Sequence, residues 1–199
     1  GWVEGAKMRS YRDEPEVDPE SLTETYVALK LAIDSWRWAG VPFYLRTGKG
    51  MPTRVTEIAV QFRRAPLALF ARTGASQIDP NILAIRIQPD EGILLRFGAK
   101  VPGQGLQIRS VNMDFRYGSS FAVDSPDAYE TLLLDAMIGD ASLFTRDDEV
   151  ERAWEILDPV LRAWHEGAGG PLHFYAAGSW GPPASDDMLE RDRRAWRRP

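Results

Sequence analysis

The chain of 199 residues contains no cysteine. Disulfides and thiolate metal sites are therefore excluded, and a reducing compartment is compatible with it. Long apolar runs are missing too: those present, such as Gly92 to Leu95, are far too short to span a bilayer. No strong excess of one charge exists. The formal net charge is -5, so no basic field covers the molecule, and broad binding to nucleic acid or to an anionic membrane is not expected. Histidine is scarce. His165 and His173 are the two present, and neither has a metal-ligand spacing such as His-Glu-x-x-His. There is no Gly-x-Ser-x-Gly nucleophile elbow, no Gly-x-Gly-x-x-Gly after a strand, and no internal repeat. Gly48-Lys49-Gly50 has the look of a phosphate loop, but Phe43 stands at the required upstream glycine and Gly50 where a magnesium-holding Ser or Thr belongs.

What is present fits an ordinary globular composition, with 44% hydrophobic and 27% charged residues. Seven Trp and eight Phe supply the bulk for one sizeable core. The first twenty residues are charged and hold Pro15 and Pro19, which reads as an extended lead-in. Residues 2 to 12 do not read as a secretory leader, and a first residue Gly1 rather than Met suggests a processed or truncated chain.

A helix is predicted from Ser21, with Ser21 and Glu24 as a capping box. Tyr26, Leu29, Ile33 and Trp36 form its apolar stripe, Lys30, Asp34 and Arg37 its polar face, and Gly40 and Pro42 its stop. Alternation then predicts strands around Ile58 to Phe62, Leu83 to Ile87 and Ile93 to Phe97. The last two form a hairpin across Pro89-Asp90-Glu91-Gly92. Leu106 and Ile108 differ in parity from Val111, Met113, Phe115 and Tyr117, which predicts a bulge near Arg109-Ser110. Closely spaced strands argue for antiparallel pairing.

The last third returns to helix. Ser125 and Pro126 should start one, burying Tyr129, Leu132, Leu133, Ala136 and Met137 and ending at Gly139. Another should start near Thr145 and Asp148 and be kinked or divided by Pro159, with Gly167 to Pro171 beyond it. A final helix from Ser185 would run from Asp186 and Asp187 to Arg193 and Arg194, as the helix dipole favours. The trypophans at 36, 38, 154 and 164 are assigned to core packing, and Arg193, Arg194, Arg197 and Arg198 to a solvated basic tail. Helices, then strands, then helices imply α+β, a large mostly antiparallel sheet with helices on one face.

One cluster suits a ligand. Arg46, Lys49 and Arg54 lie in the glycine- and proline-punctuated stretch Leu45-Arg-Thr-Gly-Lys-Gly-Met-Pro-Thr-Arg54. A phosphate dianion attracts such cations, Arg as a planar fork and Lys as a mobile point charge, and Gly48 and Gly50 let backbone come close. Surface Lys and Arg are common, so a solvated basic loop is the plainer alternative. The pairs Asp147-Asp148 and Asp186-Asp187 start predicted helices, where capping explains them better than acid–base work. His165 reads as a solvated or capping residue and His173 as structural.

Six segments in order resemble the C-terminal domain of the glucose-6-phosphate dehydrogenase family. They are Ser21-Leu-Thr-Glu-Thr-Tyr-Val-Ala-Leu-Lys30, Trp36-Arg-Trp-Ala-Gly-Val-Pro-Phe-Tyr-Leu-Arg-Thr-Gly-Lys49, Ile87-Gln-Pro-Asp-Glu91, Pro126-Asp-Ala-Tyr-Glu130, Leu134-Asp135 with Gly139-Asp140, and Gly178-Ser-Trp-Gly-Pro182. Each alone is weak, but their shared order is specific and covers almost the whole chain. The resemblance implies a single C-terminal domain over residues 1–199 that serves substrate binding and homodimer formation in a cytoplasmic enzyme.

The family's reaction is hydride transfer from C1 of glucose 6-phosphate to NADP, giving 6-phosphogluconolactone at the entry to the pentose phosphate pathway. Lys49 and Arg54 match the family's substrate-facing basic positions. The NADP domain, the His-Tyr-Leu-Gly-Lys-type segment and the catalytic His with its carboxylate partner are expected to lie outside this chain, since neither His165 nor His173 matches the family's base. The chain by itself is therefore expected to be inactive, for want of a proton acceptor and a held nicotinamide. Some members hold a second, structural NADP. Arg46 and Arg86 match basic positions of that site, whereas Val55, Ala59, Leu94 and Trp180 replace basic or aromatic contacts, so a second NADP is not expected. The alternative to an enzyme part is a non-catalytic sugar-phosphate-binding or dimerisation module.

Overall fold

The computed structural model describes residues 2–3, 5–7, 9–64, 79–103, 107–121 and 128–199. The strands are β1 (Trp2–Val3), β2 (Ala6–Lys7), β3 (Tyr26–Ala32), β4 (Pro42–Gly48), β5 (Thr56–Gln61), β6 (Ile82–Gln88), β7 (Gly92–Lys100) and β8 (Ile108–Arg116). The helices are α1 (Tyr117–Phe121), α2 (Ala128–Ile138), α3 (Asp147–His165) and α4 (Pro183–Glu190). The chain divides into two compact units, residues 1–53 with 142–196, and residues 54–141 with 197–199. All pairings are antiparallel. The expectation of a mixed α+β fold on antiparallel sheets therefore holds.

In the first unit, the predicted helix from Ser21 is instead a strand. β3 pairs with β4 over its whole length, from Tyr26↔Gly48 to Ala32↔Pro42. The short apolar run fits both periods, and a neighbouring strand able to pair decides between them. Alternation puts Leu29 opposite Leu45 and Leu31 opposite Phe43 on one face, with Lys30 opposite Tyr44 and Ala28 opposite Arg46 on the other. Ser21 organises a turn rather than a helix end: its Oγ accepts the Thr23 N–H at 3.2 Å. Trp36 belongs to a 3-10 turn and is 98% exposed, so it is no core residue.

α3 begins at Asp147, two residues after the expected Thr145. Arg146 occupies the cap, its N–H donating to Glu149 Oε2 at 3.4 Å and its guanidinium pairing with Asp148 at 2.7 Å. The helix is not divided at Pro159. Trp154, assigned to the core, is about half exposed, and Val150 and Leu157 are only partly covered. α4 starts at Pro183 rather than Ser185, because a proline is preorganised for a first helical turn. It ends at Glu190, so Arg193 and Arg194 lie beyond it. Its buried contacts are Ser185 and Leu189.

The second unit holds the meander β5-β6-β7-β8. The hairpin across residues 89–91 is as predicted, and the Gln88–Pro89 peptide is cis. Gly92 has no room for a Cβ, which would collide with the Phe115 carbonyl. The bulge expected near Arg109-Ser110 does not occur. β7 and β8 pair without interruption from Gly92↔Arg116 to Lys100↔Ile108, and the register shift lies instead between Thr56 and Glu57. Ile108 simply falls on the face opposite Val111, Met113 and Phe115; Leu106 lies outside the described residues.

One face of this sheet is an apolar lattice of Ile58, Ile85, Ile93 and Phe115, then Val60, Leu83, Leu95 and Met113. The other carries buried Ala84 and Leu94 beside the ion pair of Arg86 with Asp114 at 2.8 Å. Residues Ser125 and Pro126 lie outside the described residues. Within α2, Tyr129, Leu133 and Met137 are exposed rather than buried as expected, because apolar residues run nearly all round this helix and define no single inner face. Gly139, at φ 76°, follows its end as expected.

Candidate functional site

The basic stretch singled out from sequence begins at the end of β4, where Tyr26 stands opposite Gly48. A Cβ on Gly48 would lie 2.7 Å from the Tyr26 ring, so the aromatic side chain fills the space that only glycine leaves. Gly50, at φ 59°, turns the chain. Four polar contacts hold this turn. The Lys49 N–H donates to the Thr25 carbonyl at 2.8 Å. The Tyr175 hydroxyl faces the carbonyls of Thr25 at 2.8 Å and Lys49 at 2.9 Å. The Gly178 N–H donates to the Gly50 carbonyl at 2.7 Å. The Tyr175 ring packs on Tyr26 at 5.3 Å, and Tyr26 in turn fills the space beside Gly181.

The three cations of the stretch have different surroundings. Lys49 is exposed, and its ammonium has no hydrogen bond or ion pair among the described residues. Arg54, the first residue of the second unit, is exposed and likewise unpaired among them. Arg46 is engaged. Its guanidinium stacks between Trp180 at 4.8 Å and Trp196 at 4.7 Å and donates to the Trp180 carbonyl at 3.4 Å. Two indole faces and a carbonyl make this a structural contact.

A second network lies on the same face of β3 and β4. Lys30 pairs with Asp192 at 2.6 Å, and the Tyr44 hydroxyl donates to the same carboxylate. Bonds from Lys30 and then Tyr44 hold the Asp192 carboxyl below its ordinary value of 3.8. Desolvation, and after it the Asp192 bond, raise the Tyr44 phenol above 10.0. The Arg194 guanidinium lies 5.9 Å from the Tyr44 ring centre. Arg197 pairs with Glu57 at 2.8 Å. Two arginines of the basic tail are thus in contact with the fold rather than merely solvated.

His165, mostly exposed, lies 3.5 Å from Glu24. His173 is exposed. Among the described residues no three His, Asp or Glu side chains gather as metal ligands. No helix among the described residues is long and apolar enough to cross a membrane.

Sequence reasoning missed Tyr175 and the Lys30–Tyr44–Asp192 network. The only available signal for the first was Gly178-Ser-Trp-Gly-Pro182, whose glycines mark a close backbone approach without naming its partner.

The fold and turn define a mixed α+β protein with antiparallel sheets and an exposed lysine on a glycine-flanked turn. The chain belongs to the family of the glucose-6-phosphate dehydrogenase C-terminal domain, whose family model matches residues 1–197. It is similar to glucose-6-phosphate 1-dehydrogenase 2 of Mycobacterium tuberculosis strain H37Rv, 54% identical over 199 residues, all of this chain and 38% of the relative. Among solved structures it resembles glucose-6-phosphate 1-dehydrogenase from Mycobacterium avium, with 37% identity and a TM-score of 0.80 over 96% of this chain and 39% of that one. A glucose-6-phosphate dehydrogenase in complex with its substrate glucose-6-phosphate gives 34% identity and a TM-score of 0.85, covering 98% and 40%. The chain therefore spans about two fifths of the length of these relatives.

Arg46 is stacked between indoles and Arg86 is paired with Asp114, while Ala59 and Leu94 offer no charge.

Proposed function

We propose that this chain is the substrate-binding and dimer-forming part, a single domain over residues 1–199, of a cytoplasmic NADP-dependent glucose-6-phosphate dehydrogenase of the pentose phosphate pathway. The observation that carries the reading is the Lys49 ammonium, unpaired among the described residues, on a turn whose backbone is held from both sides. Such a cation is available to a sugar-phosphate dianion. The held backbone limits the backbone entropy lost when it binds. Arg54 is the second substrate-facing cation. The chain's own part in the reaction is to bind and orient glucose 6-phosphate. NADP, the acceptor of the C1 hydride, is bound mainly by a coenzyme domain, and the proton acceptor is likewise supplied from outside these residues.

The apolar lattice of β5 to β8 supports a homodimer, since Ile58 and Met113 on it are 54% and 61% exposed. A second copy across a two-fold axis would cover the same face on each partner. Steady-state kinetics of the full-length enzyme test the site. Lys49→Ala and Arg54→Ala should each raise KM for glucose 6-phosphate by about tenfold or more, the scale of one charge-assisted hydrogen bond. An unchanged KM in either variant removes that residue from the site.

A further inference from the structure

We propose that Tyr175 is the positioning residue of the substrate site, fixing Lys49 through the backbone and touching no substrate itself. The proposal rests on the reading of Lys49 as a substrate-binding residue. A phenol has one proton, and the Tyr175 hydroxyl faces two carbonyl oxygens, of Thr25 at 2.8 Å and of Lys49 at 2.9 Å. Thr25 O also receives the Lys49 N–H at 2.8 Å. Lys49 is therefore tied at its N–H by Thr25, and its carbonyl shares the single Tyr175 proton with the carbonyl of Thr25. The backbone atoms on either side of its Cα are fixed, so the direction in which its side chain leaves the turn is fixed as well.

The surrounding segment reinforces this. Gly178 N–H holds the next carbonyl, of Gly50, at 2.7 Å. An added Cβ on Gly50 would meet Ala177 at 3.7 Å, which places the 175–178 segment against the turn. Tyr26 wedges between this segment and Gly48, with its ring 5.3 Å from that of Tyr175. Residues 175–178 thus act as a clamp on 48–50, and the hydroxyl is the one side-chain atom of the clamp bonded to the lysine's own residue.

The tie to Lys49 is solvent-accessible, so water can replace it at little cost in stability. Positional precision is a different quantity. A lysine free to lean by about 1 Å loses part of its contact with a phosphate even in a folded protein. The role therefore separates from a merely structural one in kinetics.

The test is a double-mutant cycle in the full-length enzyme, with KM and kcat measured for both substrates. Tyr175→Phe should raise KM for glucose 6-phosphate about 5- to 10-fold, the scale of one hydrogen bond, with kcat and KM for NADP within about twofold of the parent. In a Lys49→Ala background the same change should add less than twofold, because the lysine it positions is gone. If Lys49→Ala raises KM and Tyr175→Phe does not, or if the two effects multiply, the positioning role is overturned and the Lys49 reading stands. If Lys49→Ala leaves KM unchanged, the Lys49 reading fails and the positioning role with it. Should Tyr175→Phe not fold, 4-fluorophenylalanine at position 175 fills the space without a donor. The same cycle then decides on the same thresholds.

Discussion

Tyr44 and Asp192, 148 positions apart, are joined by a hydrogen bond from the phenol to the carboxylate. Lys30, directly across the hairpin from Tyr44, salt-bridges the same carboxylate at 2.6 Å. A segment near the end of the chain is thereby fastened across β3 and β4.

This fastening makes part of the acid stability depend on the Asp192 carboxyl. The folded Asp192 titrates below its ordinary 3.8, through the bonds from Lys30 and Tyr44. A depressed folded value contributes stability that is present above the unfolded value and is lost as pH falls through the folded one. Thermal melts of the parent should therefore fall more steeply as pH drops below about 4 than those of Asp192→Asn. Equal slopes in the two proteins would remove Asp192 from the acid-labile set.

Trp196 stacks on Arg46 at 4.7 Å, meets the Tyr44 ring edge-on at 6.4 Å, and donates from its indole to the Ser185 carbonyl at 3.0 Å. Trp196→Ala removes all three contacts and leaves Arg46 with one indole. A loss of about 2–4 kcal/mol is expected from urea unfolding, and Trp196→Phe should recover about half. A change under about 0.5 kcal/mol in Trp196→Ala would mean that the sandwich adds nothing to stability.

NADP should not stabilise the isolated chain. Its two candidate arginines are engaged with Trp180 and Trp196 and with Asp114. Melting curves with and without millimolar NADP should superimpose. Binding tighter than the ligand concentration by a hundredfold would add about 2.7 kcal/mol, a rise of several degrees that would overturn the expectation.

Sedimentation velocity across a wide concentration range tests the sheet as an interface. A dimer is expected. Replacing Ile58 and Met113 by Glu should shift the population to monomer, because each places a charge where apolar surface would be covered. A monomer at every concentration in the parent would refute the two-fold pairing.

Much of this was legible in the sequence where the pattern was strictly local. The strands of β5, β6 and β7 follow from plain alternation, and the turn residues Pro89 to Gly92 mark their hairpin. β3 was misread because Tyr26, Leu29 and Ile33 satisfy the helical spacing while Val27, Leu29 and Leu31 satisfy the strand spacing. Only the presence of β4 breaks the tie, and strand pairing is non-local. The candidate site was half legible. Lys49 and Arg54 stand out by charge and by their glycine- and proline-rich setting. Tyr175 does not, because its role depends on two carbonyls more than a hundred residues away, and a carbonyl has no sequence signature.

The separation of Lys49 and Tyr175 along the chain, 126 residues, also sets an order of events in the cell. At translation rates of about 5–20 residues per second, the tyrosine leaves the ribosome on the order of ten seconds after the turn it clamps. During that interval the β3–β4 hairpin has neither Tyr175 nor Asp192 to close over it. Until then the nascent chain holds its lysine turn only by the local bond from the Lys49 N–H to the Thr25 carbonyl, a window in which a chaperone would find the even-numbered face of the hairpin bare.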